Sequence, residues 1–226
     1  MSDNKPILGY WKIRGLAECI RYQLAYSNVS YKEEVYEQGD GPEFSRSSWM
    51  DVKFQQGLAF PNLPYFKDGD FSITESGAIH RYCARKWCPE LLNLDDPEMY
   101  AKAEMLWGVV ADVKGFVTMQ CYIGDGCKEQ LTEKVIPKLE LLAKAAHENQ
   151  YIADNKLCCA DFAFVELVEL VDFISNGKVF EIYPALKDYR DRIFELPTLK
   201  EYLTKRADLP FNNKVAKINN VDKANI

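Results

Sequence analysis

Leu8-Gly9-Tyr10-Trp11-Lys12-Ile13-Arg14-Gly15-Leu16, close to the amino end, has the pattern of a strand end, a turn and a helix start. Pro6 to Tyr10 is a short apolar strand candidate, and Leu16, Ala17, Ile20, Leu24 and Ala25 then recur at helical spacing. An aromatic hydroxyl at the carboxyl end of a first strand, followed by a glycine-containing turn into a helix, lies where open α/β sheets place their ligand crevices. Tyr10 is therefore the first candidate for a chemical role. Taken alone, a tyrosine at a strand end is more often a packing residue than a catalyst, so the rest of the chain has to decide.

Working outward, Tyr31 to Tyr36 alternates as a half-exposed second strand should, with Tyr, Val and Tyr expected on one face. The resulting β-α-β unit predicts a parallel pair. Glu37 to Ser48 is a polar loop leading to a short helix around Trp49 to Gln55. Phe60 to Phe66 and Phe71 to Thr74, joined by the turn Lys67 to Asp70, fit a hairpin. Pro64 stands at the first residue of a strand internal to a sheet, where its missing amide requires an end, a bulge or a special peptide geometry, and a cis Leu63–Pro64 bond is expected. Ser76 and Gly77 open the next helical pattern, with Ser76 near the cap. The first third thus reads β-α-β-α-β-β-α.

After a linker at Cys88 to Asp96, Pro97 suits a first helical turn and strand signals largely disappear. Long helical patterns run over Glu98 to Cys121 and from Lys128 to about Glu148, the second with Pro137 inside it as a candidate kink. Asp161 to Ile174 is apolar on most sides, which predicts a central helix buried except along an acidic stripe of Glu166, Glu169 and Asp172. Three acids without a histidine partner fit a solvated or paired face better than a metal site. Shorter helices over Pro184 to Glu195 and Thr198 to Lys205 precede a polar tail expected to be loosely ordered.

The 226 residues suffice for one large domain or two small ones. The net charge of −6 gives no general attraction to nucleic acid or anionic membrane. No signal-like or bilayer-length apolar run occurs, so a cytoplasmic location without membrane insertion is expected. Seven cysteines (Cys19, Cys83, Cys88, Cys121, Cys127, Cys158, Cys159) form no Cys-x-x-Cys pair, and His80 and His147 have no nearby ligand set. Neither disulfides nor a metal site is expected.

The opening run, then Trp49 and Lys53, then Phe60-Pro61-Asn62-Leu63-Pro64-Tyr65, then Thr74-Glu75-Ser76 with Arg81-Tyr82, closely resembles the cytosolic glutathione S-transferases, the mu class nearest. The likeness extends from about Pro6 to about Leu203 and is densest in the first third. It implies an α/β thioredoxin-like amino-terminal domain over residues 1–88, a linker over 89–96, an all-α carboxyl-terminal domain over 97–226, and a homodimer.

The resemblance also implies roles. Tyr10 matches the catalytic tyrosine that holds the glutathione thiol as thiolate. Tyr10, Trp11, Leu16, Trp49, Lys53, Asn62, Leu63, Pro64, Glu75 and Ser76 match the glutathione site, to which Asp112 would be added from the partner subunit. Leu63 would offer its backbone to the cysteinyl part, and Lys53, Trp49 and Asn62 would hold the glycyl carboxylate. Ser76 would receive the γ-glutamyl carboxylate at a helix start. Glu75 stands where the mu class usually has Gln. Ile13, Tyr122 and Phe211 would line the pocket for small apolar electrophiles, while Phe60 and Arg81 would belong to the dimer interface. Asp161 resembles the family's buried aspartate at the start of the central helix, with Cys158 in place of the usual hydroxyl cap, which predicts a weaker helix start.

Other readings of the same residues are a glutathione-dependent isomerase, a carrier of apolar ligands, and a binding or structural protein that kept the fold without turnover. The joint presence of Tyr10, Trp49, Lys53, Asn62, Ser76 and Asp112 favours retained glutathione binding. Glutathione would be a co-substrate, with no metal.

Overall fold

The computed structural model describes residues 5–123 and 134–218. Strand β1 (Ile7–Trp11) passes through the Tyr10 turn into α1 (Glu18–Tyr26), and β2 (Lys32–Tyr36) returns parallel to β1, with Ile7 beside Lys32 and Trp11 beside Tyr36. A parallel neighbour needs a crossover, and α1 supplies it. A single-turn α2 (Ser47–Met50) and a 3-10 turn (Lys53–Gln55) take the place of the one short helix read over Trp49 to Gln55.

Strands β3 (Tyr65–Asp68) and β4 (Phe71–Thr74) form the hairpin, turning at Gly69 and Asp70; Gly69 has φ 61°, a left-handed conformation open to glycine. β3 runs antiparallel to β1, which sets the order β2-β1-β3-β4, and α3 (Ser76–Trp87) follows. This is the thioredoxin-like arrangement with a four-stranded mixed sheet. Gly9 of the opening run lies opposite Tyr65, and a Cβ there would run into the Tyr65 ring. The Leu63–Pro64 peptide is cis, as is Gly41–Pro42, which carried no such signal.

Beyond a 3-10 turn at Pro89–Leu92, Asp96 accepts from the Met99 amide at 3.0 Å and Pro97 opens α4 (Pro97–Tyr122). Among the described residues that follow, the helices are α5 (Ile136–Glu148), α6 (Cys159–Ser175), α7 (Lys178–Ile182), α8 (Pro184–Phe194) and α9 (Pro197–Lys205). Helix α6 packs against α1, α4 and α8 and is the centre of the helical part. Pro137 lies in the first turn of α5, where no amide is required, so it opens the helix and does not kink it. Positions 128–133 of that pattern, and Cys127, fall outside the described residues; the other six cysteines are buried and unpaired.

Three expectations are corrected. The acidic stripe of α6 is a paired face, as one of the two readings had it, but not an exposed one: Glu166 is 1% exposed and paired with Lys114 of α4, while Glu169 pairs with Arg14 and Arg206. Periodicity registers the charge as a face, but the cations that neutralise it come from other elements. Tyr36 and Val35 are strand neighbours and therefore face opposite ways; Tyr36 is buried against Trp49 and Tyr65, and Val35 is exposed. The tail is packed at Phe211, Asn212, Ala216 and Ile218, because its backbone ties to the Tyr10 loop and to the end of α4.

At the start of α6 the Asp161 carboxylate accepts from the amides of Ile152 at 2.8 Å and Cys158 at 2.7 Å and from the Tyr189 hydroxyl. Cys158 and Asp161 form a reciprocal capping box. The weak sulfur cap is thus compensated by a carboxylate that serves three donors.

Candidate active site

Strand register gathers the candidate residues at one end of the sheet. Gly9 pairs with Tyr65 and Tyr65 with Thr74, so the carboxyl ends of β1 and β4 and the amino end of β3 coincide. Tyr10 and Trp11, Leu63 and Pro64, and Glu75 and Ser76 are the residues just beyond those pairs. The Thr74 hydroxyl donates to the Phe60 carbonyl at 3.0 Å and ties the Phe60–Asn62 segment to the same edge. Trp49 is buried, stacked on Tyr65 with ring centroids 6.1 Å apart, and leads directly to Lys53.

Helix α3 begins at Ser76. Its first backbone bond runs from the Ile79 amide to the Glu75 carbonyl at 2.9 Å, so the amides of Ser76, Gly77 and Ala78 precede the intrahelical ladder. Glu75, at the cap position expected of Ser76, has φ 71° and ψ 115° and an exposed side chain. Neither Lys53 nor Glu75 enters an ion pair among the described residues. Glu75 and the start of α3 border the sheet end, and the Lys53 ammonium, which follows Trp49 in the chain, lies over the Phe54 ring at 5.5 Å.

Tyr10 is buried, and its hydroxyl oxygen accepts from the Leu16 amide at 2.9 Å. Burial raises its phenol well above the ordinary tyrosine value, with the Leu16 bond pulling partly back. The phenol is therefore neutral at physiological pH, and with its oxygen serving an amide its own proton is left to donate. Gly15 makes this possible. It has φ +42°, and a Cβ there would stand 2.6 Å from the Tyr10 hydroxyl. If Tyr10 has the role that the resemblance implies, Gly15→Ala is expected to cut kcat about tenfold, through displacement of the hydroxyl worth about 1–2 kcal/mol, with KM changed little; initial rates over a substrate series check this.

Tyr122, at the end of α4, repeats the arrangement: its oxygen accepts from the Asn213 amide at 2.8 Å, and its charge state bears on Tyr10. Ile13 is buried in the loop between β1 and α1 and borders a cleft of about 230 Å³ shared with Lys12, Gln38, Pro210 and Asn213, which neither Tyr122 nor Phe211 lines. Phe211 is stacked on Phe173, centroids 4.8 Å apart, beneath the Arg14 guanidinium. Asp112 is exposed on α4 and reaches Lys138 at 3.4 Å. Phe60 is 80% exposed, which excludes a core position in the single chain. Arg81 is forked onto Glu104 and donates to the Gly77 carbonyl at 2.8 Å. Among the described residues no cluster of His, Cys, Asp and Glu could hold a metal ion, and no helix is long and apolar enough to cross a membrane.

Two family models match the chain: glutathione S-transferase, N-terminal domain, over residues 6–85, and glutathione S-transferase, C-terminal domain, over residues 114–206. Glutathione S-transferase B of Cavia porcellus is 36% identical over 205 residues, 90% of this chain and 93% of that protein. The chain belongs to the glutathione S-transferase family.

Glutathione S-transferase Mu 1 of Homo sapiens is also 36% identical, over 90% of this chain and 93% of that protein, and the Dermatophagoides pteronyssinus glutathione S-transferase is 34% identical over 96% and 98%. Among solved structures, the glutathione S-transferase Blo t 8 superposes with a TM-score of 0.75 at 30% identity, covering 94% of this chain and 99% of that one. A Pi-class glutathione S-transferase of Onchocerca volvulus gives 0.77 at 26% identity over the same shares.

In this transferase, sequence reasoning missed three features of the site. Backbone bonds from the Arg14 amide to the Pro210 carbonyl and from the Gly15 amide to the Phe211 carbonyl dock the tail on the loop. Arg21 donates to the Ile13 carbonyl at 3.1 Å. Lys114 donates to the Gly15 carbonyl at 2.9 Å. The signal for the last was a lone lysine within the apolar run of α4, paralleled by Glu166 in the most apolar helix.

Proposed function

We propose that the chain conjugates glutathione to small apolar electrophiles, with Tyr10 holding the sulfur as thiolate through a donated hydrogen bond. The observation that carries this reading is the Tyr10 hydroxyl itself: buried, neutral and oriented by the Leu16 amide, so that its proton is available to an anion. A free thiol with pKa about 8.5 is only a few per cent thiolate at neutral pH. A preorganised donor favours the anion, which then attacks the electrophilic carbon while Tyr10 keeps its proton.

The tripeptide takes the sheet end as an added extended segment along the Leu63 backbone, with Pro64 and Trp11 beside it. Lys53, Trp49 and Asn62 take the glycyl carboxylate. Ser76 and the free amides of α3 take the γ-glutamyl carboxylate, and Glu75 takes its ammonium, joined by Asp112 of the second copy. Ile13 and Tyr122 face the electrophile, with Phe211 behind them. The working form is a homodimer in the cytoplasm, anchored by Phe60 and with Arg81 near the two-fold axis.

Retention on immobilised glutathione followed by turnover of a chloronitrobenzene tests the reading. Retention without turnover across a broad electrophile panel would leave a glutathione-binding protein only, and failure to be retained would remove the binding assignment as well. For the dimer, sedimentation is expected to give twice the 26.0 kDa chain mass. Phe60→Ala is expected to shift the protein toward monomer by about 2–4 kcal/mol of association energy, as loss of a buried aromatic anchor does. A wild-type monomer refutes that part.

A further inference from the structure

The Gly15–Leu16 peptide group is engaged at both ends. Its N–H donates to the Tyr10 hydroxyl at 2.9 Å, and its C=O accepts from the Lys114 ammonium at 2.9 Å. Lys114 is 8% exposed and paired with Glu166 of α6, itself buried. Burial works against the lysine charge, but Glu166 together with Cys19 and Glu18 outweighs it and raises the ammonium above the ordinary lysine value. A fully charged cation is thus fixed on the carbonyl of the one peptide that touches the Tyr10 oxygen.

A peptide group is conjugated, so drawing electron density toward its oxygen leaves its N–H a stronger donor. A stronger donor to a hydroxyl oxygen makes that hydroxyl, in turn, a stronger donor, which is the cooperativity of hydrogen-bond chains in low dielectric. We propose that Lys114 is a positioning residue for the conjugation reaction: through the Gly15–Leu16 peptide it polarises the Tyr10 hydroxyl and strengthens its hydrogen bond to the glutathione thiolate. The inference rests on the reading of Tyr10 as thiolate donor.

The other charged groups that bear on Tyr10 are Arg21, whose guanidinium grips the Ile13 carbonyl of the same loop, and Glu166. Arg21 is itself neutralised by Glu18 and Glu33. Lys114 differs from Arg21 in acting on the peptide that contacts the hydroxyl. Cooperative strengthening of about 10–30% per bond, applied to a thiol shift of about two units from Tyr10, corresponds to about 0.2–0.6 unit.

The experiment titrates the thiol of bound glutathione by the ultraviolet absorbance of its thiolate. Removing the pair as a unit, Lys114→Met with Glu166→Leu, avoids stranding a buried charge, and is expected to raise the titration midpoint by about 0.2–0.6 unit. Lys114→Arg, which keeps a cation for the Gly15 carbonyl beside Glu166, is expected to stay near the wild-type midpoint. Loss of packing alone would raise the midpoint in Lys114→Arg as well. In a Tyr10→Phe background the paired substitution is expected to add no further shift.

If Tyr10→Phe raises the midpoint and the paired substitution does not, the Lys114 role is overturned and the Tyr10 reading stands. If Tyr10→Phe leaves the midpoint unchanged, both are overturned. A shift of the same size with and without the Tyr10 hydroxyl also overturns the relay, since the cation would then be acting on sulfur directly.

Discussion

Tyr10→Phe is expected to conjugate glutathione about 50-fold more slowly than the wild type at pH 6.5, and only about twofold more slowly at pH 8.5. The narrowing follows from the sign of the shift. A donor that stabilises the thiolate lowers the thiol from about 8.5 to about 6.5, which requires roughly 3 kcal/mol of differential stabilisation. At pH 6.5 the wild-type complex is then about half thiolate, and the variant about 1%. At pH 8.5 the wild type is saturated and the variant about half ionised, so most of the deficit is gone. The KM for glutathione is expected to change less than about threefold, because the groups assigned to the peptide ends are elsewhere.

The substitution removes one oxygen from a buried ring and leaves the Leu16 amide without its acceptor. Leu16 is partly exposed, so water can replace that acceptor and the fold is expected to survive. A deficit of constant size across the pH range would mean that Tyr10 acts on the electrophile or on loop geometry instead. Initial rates with a chloronitrobenzene between pH 6 and 9 separate these outcomes.

What the opening stretch reveals on its own is limited by what local pattern encodes. The strand, turn and helix over residues 7–26 are legible because apolar periodicity switches from two to 3.6 within a few residues. The role of Tyr10 is not, because nothing within the turn distinguishes a packed phenol from a donor. The role proposed for Tyr10 draws on the distant matches at Trp49, Lys53, Leu63-Pro64 and Ser76, and strand register explains how Leu63-Pro64 and Ser76 come to the same edge, since the carboxyl ends of β1 and β4 meet the amino end of β3.

The illegible parts share a cause. Glu166 reads as one member of a polar stripe because a buried ion pair is a property of two helices, and Lys114 lies on the other. The tail reads as loose because its composition is polar, yet it is fixed by backbone bonds to Arg14 and Gly15 and by Phe211 sandwiched between Arg14 and Phe173. Backbone-to-backbone contacts leave no trace in residue type. Gly15 is the exception that could have been read: a glycine five residues after a candidate hydroxyl marks the close approach its φ of +42° now explains.

Asp161→Ala is expected to lower stability by about 3–5 kcal/mol, the largest loss from any single site considered. Asp161 is fully buried and accepts from the amides of Ile152 and Cys158 and from the Tyr189 hydroxyl. Alanine removes the acceptor that all three donors share, in a site from which water is excluded: the Ile152 amide keeps only the Tyr189 oxygen at 3.2 Å, and the Cys158 amide is orphaned at about 1–3 kcal/mol. The hydroxyl can rotate to another partner, but the two amides are fixed by the chain. The Cys158 amide bond is also the Asp161 half of the capping box at α6, and the half that remains rests on the Cys158 sulfur, a weak hydrogen-bonding group. Against these losses stands the relief of desolvating a carboxylate, which burial already opposes. Asp161→Asn keeps the volume and one acceptor oxygen, so it is expected to lose less, about 2 kcal/mol. Because α6 is the helix on which α1, α4 and α8 rest, the loss is expected as a shift of the whole unfolding transition and not as local fraying. Urea melts at one fixed protein concentration are expected to show the midpoint falling by about 1–2 M for Asp161→Ala. A fall below about 0.3 M would show that the two amides find other acceptors, and that the start of the central helix does not depend on the carboxylate.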